Sequence, residues 1–151
     1  IGSGQGGDIN ITAKSLNLTN GAIIMATTFG KAGVNGLANA GNIFIKVADV
    51  VYLKDRSLVL SQTSGEGNAG RIEINTGSLE LVDGASIDNS TLSKGNAGDI
   101  KITARDTISL AGESSQGISS TILSQVEIHP TKGNAAEGNA GGIEILTGSL
   151  Y

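Results

Sequence analysis

Gly67-Asn68-Ala69-Gly70-Arg71-Ile72-Glu73-Ile74-Asn75-Thr76-Gly77-Ser78-Leu79-Glu80-Leu81-Val82-Asp83-Gly84-Ala85-Ser86-Ile87 contains three short alternations in succession. Ile72/Ile74, Leu79/Leu81 and Ala85/Ile87 each set apolar residues two apart with a polar residue between them. Period two is the mark of a strand with one buried face. The joins carry Gly, Asn and Asp, the residues of tight turns. Nothing in the stretch repeats at 3.6 residues, so a helical repeat is excluded.

Working outward, the same unit recurs along the chain. Gly95-Asn96-Ala97-Gly98 and Gly138-Asn139-Ala140-Gly141 repeat the opening tetrapeptide, and Ala38-Asn39-Ala40-Gly41 and Gly4-Gln5-Gly6-Gly7 are degenerate copies. One variable residue and Ile-x-Ile follow each: Ile9/Ile11, Ile43/Ile45, Ile72/Ile74, Ile100/Ile102 and Ile143/Ile145. The second alternation returns as Leu16/Leu18, Val51/Leu53, Ile108/Leu110 and a truncated Leu150, and the third as Ala22/Ile24 and Leu58/Leu60. In the fourth copy the third alternation is blurred between Ile118 and Leu123. The last Gly of the tetrapeptide stands at 7, 41, 70, 98 and 141, giving spacings of 34, 29, 28 and 43. The unit is therefore about 28 residues, with insertions near 28–37 and 112–137.

Such a unit describes an all-β fold, a right-handed parallel β-helix (solenoid) with three short strands per coil; right-handed crossover is the rule for parallel connections. First strands are expected at 8–13, 42–47, 71–76, 99–104 and 142–147. Stacking at about 4.8 Å would set each Ile over the next and give a rod roughly 20 Å long. Between the isoleucines the outward residues include Glu73, Lys101 and Glu144, alternating in sign. Asn39, Asn68, Asn96 and Asn139 form a row in which left-handed backbone and amide-to-amide bonds are expected at a Gly-flanked corner.

Composition agrees with a core of aliphatic ladders. The 151 residues include 23 Gly, no Cys, no Trp and only two Phe and two Tyr, so the large aromatic anchors of an ordinary domain are missing. Residues 1–151 read as a single domain, and the opening Ile1-Gly2-Ser3-Gly4 reads as an internal fragment of a longer repeat protein. Net charge is −4 with no run of Lys or Arg, which argues against a nucleic-acid partner. No apolar stretch approaches the roughly 20 residues of a membrane helix, so membrane insertion is not expected.

The pattern Gly-Asn-Ala-Gly-x-Ile-x-Ile-x-x-x-Ser-Leu-x-Leu-x-x-Gly-Ala-x-Ile, complete at 67–87, resembles the repeats of filamentous haemagglutinin-like exoproteins of two-partner secretion systems, most closely the cyanobacterial type. The resemblance spans nearly the whole chain. It implies export across the outer membrane of a Gram-negative bacterium to the cell surface or medium. It also implies a structural shaft or adhesive role, with a host or neighbouring-cell surface or a glycan as partner.

Two alternatives stand beside that role: a carbohydrate-binding or carbohydrate-active β-helix of lyase or hydrolase type, and a self-assembling extracellular fibre subunit. An enzyme of this shape needs clustered carboxylates. The fourteen Asp and Glu are instead spread over all copies, and only Asp83 and Asp88, with Asp55 on the neighbouring copy, invite a cation. The lone His129 sits beside the lone Pro130 in a Ser-rich insertion, which reads as a loop rather than a catalytic triad. No catalytic residue, cofactor or metal site is expected. Partner contacts are expected from the insertions, through Phe29, Lys31, His129 and Lys132, because loops on a rigid scaffold commonly carry function. Three sequons begin at Asn10, Asn17 and Asn89, and Thr27, Thr63 and Thr91 are read as an outward row. Uncapped ladder ends are expected to associate end to end.

Overall fold

A computed structural model describes residues 5–29, 38–92, 94–127 and 137–151. Every regular element among them is a strand: β1 (Ile9–Ala13), β2 (Leu16–Leu18), β3 (Ile23–Thr28), β4 (Ile43–Val47), β5 (Val50–Lys54), β6 (Leu58–Thr63), β7 (Ile72–Val82), β8 (Ser86–Asp88), β9 (Ile100–Ala111), β10 (Thr121–Leu123) and β11 (Ile143–Leu150). All pairings between these strands are parallel.

The paired Ile-x-Ile segments lie in one ladder, β1–β4–β7–β9–β11, with Ile9, Ile43, Ile72, Ile100 and Ile143 in register. The Leu-x-Leu segments form a second ladder through Leu16, Val51, Leu79, Ile108 and Leu150. β7, β9 and β11 run through both segments without a break, so the two ladders join into one sheet. Copies differ in length at that junction: Gly77 and Gly148 stand where the fourth copy has Arg105 and Asp106, and the register shifts there. The third segments form a separate sheet, β3–β6–β8–β10. Within the expected insertion at 112–137, Thr121–Leu123 therefore belong to a ladder strand.

The hydrophobic core cluster is aliphatic, with buried Ser, Thr and Asn beside it. Ile43, Ile45, Ile72, Ile74, Ile100 and Ile102 are all buried, as are Val51, Leu53, Leu79, Leu81 and Ile108. Burying such side chains at roughly 25 cal/mol per Å2 of apolar area is the main stabilising term here. All four aromatics lie outside this core.

The third strand of the second copy differs from expectation. The residue that joins the core cluster there is Val59, in register with Ile24, Ile87 and Ile122; Leu58 and Leu60 are out of that register, although Leu60 is buried as well. Leu58-Val59-Leu60 is a continuous apolar run in which period two cannot choose a register. The turn decides it. Gly21, Arg56 and Gly84 have positive φ (73°, 62° and 80°), and the inward positions fall one and three residues later: Ala22/Ile24, Ser57/Val59 and Ala85/Ile87. The threonine row is also corrected. Thr28, Thr63 and Thr91 are the residues in register, and Thr63 and Thr91 are fully buried.

Candidate functional site

The tetrapeptide corners stack closely enough to explain their glycines. A Cβ on Gly98 would lie 1.6 Å from the Gly70 carbonyl oxygen, and one on Gly70 would lie 2.1 Å from that of Gly41. Polar side chains in the third strands or directly after them tie these corners together from inside. Ser61 Oγ donates to the Gly41 carbonyl (2.9 Å) and accepts from the Gly70 N–H (3.0 Å). Ser124 does the same between Gly98 (2.9 Å) and Gly141 (3.0 Å). Asn89 Nδ2 donates to the carbonyls of Gly70 (2.8 Å) and Asp99 (3.0 Å). Sequence reasoning missed this row because Ser and Asn sit where an apolar residue would continue the alternation.

On the outer side of the corners the asparagine row takes a different form from the expected amide-to-amide ladder. Asn39 Oδ1 accepts from the backbone N–H of Asn68 (2.8 Å), Asn68 Oδ1 from that of Asn96 (2.8 Å), and Asn96 Oδ1 from that of Asn139 (2.9 Å). These asparagines do not have left-handed backbone; the positive φ belongs to Gly67 (150°), Gly95 (131°) and Gly138 (156°). A second row runs alongside. Asp8 Oδ1 accepts from the N–H (2.8 Å) and Nδ2 (2.9 Å) of Asn42, Asn42 Oδ1 from the N–H of Arg71 (2.8 Å), and Asp99 Oδ1 from the N–H of Gly142 (2.8 Å). Its signal was the variable residue before each Ile-x-Ile.

Between the two rows lies an open groove of about 620 Å3 that crosses four successive strand levels. It is lined by Gln5, Asn39, Asn68 and Asn96, by Asp8, Asn42, Arg71 and Asp99, and by small residues such as Gly6, Ala40, Gly70 and Gly98. The Nδ2 groups of Asn39, Asn68 and Asn96 have no acceptor among the described residues, whereas every Oδ1 is held by the ladder. Amide donors are thus fixed in place and presented to solvent at three of the four levels. No family model matches this chain, and no curated protein or solved structure does.

Of the expected partner contacts, Phe29 is exposed (73 %) at the end of β3, while Lys31, His129 and Lys132 lie outside the described residues. Phe29 is not among the residues lining the groove. The acidic grouping resolves differently from expectation. Asp55 and Asp83 share a surface depression with Arg56, and Lys54 pairs with Asp83 (3.6 Å); Asp88 does not line it. Among the described residues no three of His, Cys, Asp and Glu come together to hold a metal. Burial raises the Asp88 carboxyl above its ordinary value, the Ser90 hydroxyl bond lowers it, and nearby Glu127 raises it. Asn10 and Asn17 of the sequons are exposed, but Asn89 is fully buried with its Nδ2 engaged. Outward charges pair along and across strands. Lys101 meets Glu144 (3.2 Å), while Glu73 turns to Arg71 (3.2 Å) instead of to Lys101. Pairs this exposed contribute little.

Proposed function

We propose that the parallel ladders belong to a right-handed parallel β-helix that serves as a shaft or adhesive segment of a large exoprotein, secreted to the surface of a Gram-negative bacterium. The observation that supports it is the register of Ile9, Ile43, Ile72, Ile100 and Ile143 across five parallel strands. A core built from one repeated row extends by adding copies, each lengthening the rod by about 4.8 Å without new tertiary design. Holding a distal part away from a cell requires that property, and it requires no catalytic centre. The partner on this reading is another cell's surface or a glycan.

Self-association follows from the same geometry. Among the described strands, β1 and β11 each have a ladder neighbour on one side only. Unpaired edges recruit strands, either from further chain or from another copy. The apparent mass from light scattering of the purified chain should rise with concentration if copies stack. The functional test is an antibody raised against this chain and applied to intact producing cells. Labelling without permeabilisation is expected; labelling that appears only after lysis would overturn the proposal.

A further inference from the structure

The corner groove has a chemistry that a shaft alone does not need. We infer that it binds a neutral, linear polysaccharide lengthwise, about one sugar per strand level. Its donors are the Nδ2 groups of Asn39, Asn68 and Asn96, which recur at the strand spacing of about 4.8 Å. Its acceptors are the second carboxylate oxygens of Asp8 and Asp99, whose first oxygens are held by backbone N–H groups. A sugar hydroxyl both donates and accepts, so a lining that offers amide donors and carboxylate acceptors together suits it.

Further features narrow the ligand. The side chains are already fixed by the ladder bonds, so ordering them on binding costs little. Two carboxylates face one guanidinium on the lining, and Arg71 is already engaged by Glu73 at 3.2 Å. The groove is therefore net negative and disfavours an anionic glycan. An extended peptide repeats its side-chain pattern every two residues, about 6.6–6.8 Å, and falls out of step with donors spaced at about 4.8 Å. Successive rings of an extended β-1,4-linked chain turn over, but each carries hydroxyls on both edges, so every level of donors meets one. The lining has no aromatic residue on which a sugar could stack, so each sugar adds little and affinity grows with length.

The test is titration of isotope-labelled protein with β-1,4-linked glucose oligomers of increasing length, with heparin and an extended polar peptide run in parallel. The side-chain NH2 resonances of Asn39, Asn68 and Asn96 should shift. Affinity should rise at least about tenfold from dimer to tetramer and level off once the four levels are spanned. The double variant Asn68→Asp/Asn96→Asp keeps an oxygen for each ladder bond, as Asp8 and Asp99 do, but removes two donors. It should still fold, with a modestly lower melt from the added like charges, and lose at least about tenfold in affinity. Unmoved asparagine resonances up to the solubility limit, affinity independent of length, or a tighter response to heparin or peptide would each overturn the inference. If the variant fails to fold, the resonances of the unaltered protein decide.

Discussion

Ile74→Ala probes the ladder core at its centre. Ile74 is fully buried and lies in register between Ile45 and Ile102, both also buried. Three carbons are deleted, each carrying about 0.8 kcal/mol of transfer free energy, so roughly 2.4 kcal/mol is lost before any cavity forms. The walls of that cavity are side chains on strands pinned by parallel hydrogen bonds, which cannot close in without breaking the register. A cavity term then brings the total to about 3–4 kcal/mol, within the range for buried Ile→Ala changes. Ile145→Ala deletes the same atoms where the row is only partly buried and should cost under about 2 kcal/mol. Urea unfolding with the slope held as a check on cooperativity reads both. Equal losses at 74 and 145, or a loss below about 1.5 kcal/mol at 74, would refute the packing argument.

Other outcomes follow from single observations. Gly98→Ala should destabilise by at least about 3 kcal/mol, because its Cβ would meet backbone oxygen at 1.6 Å. Gly7→Ala, whose Cβ meets nothing within 4 Å, should stay within about 0.5 kcal/mol; thermal melts compare them. Val59→Ser should cost about 2 kcal/mol or more and Leu58→Ser distinctly less, and the reverse order would restore the register expected from sequence. Asp88 is held with a raised carboxyl value mainly by burial. The folded state then binds that proton more tightly than the unfolded chain, so ionisation takes stability away as pH rises from about 4. Asp88→Asn should accordingly be more stable than the parent at neutral pH and lose that advantage below about pH 3.5 in denaturation curves collected across pH.

The parallel first and second ladders were legible in the sequence because a two-residue period bounded by an invariant Gly corner admits one register. The third strand was less so. Leu58-Val59-Leu60 offers apolar residues at every position, and only the count from the left-handed turn at Arg56 separates inside from outside. Position 56 is hard to recognise because Arg stands there in place of the Gly found at 21 and 84. The groove was half visible. The asparagine row announced itself as a repeat, but its partner row of Asp8, Asn42, Arg71 and Asp99 varies in residue type along the stack, so it does not stand out as one. The inward Ser61, Asn89 and Ser124 were hidden because buried polar groups earn their place through specific partners, and partners cannot be read from period.

The central claim is that each copy lies parallel on the next, one unit further along the chain. Through-hydrogen-bond couplings in solution NMR test it most directly. The account predicts couplings from the N–H of Ile43 to the carbonyl of Arg71, from Ile72 to Asp99 and from Ile100 to Gly142. Couplings that instead join neighbouring segments in antiparallel hairpins would contradict it.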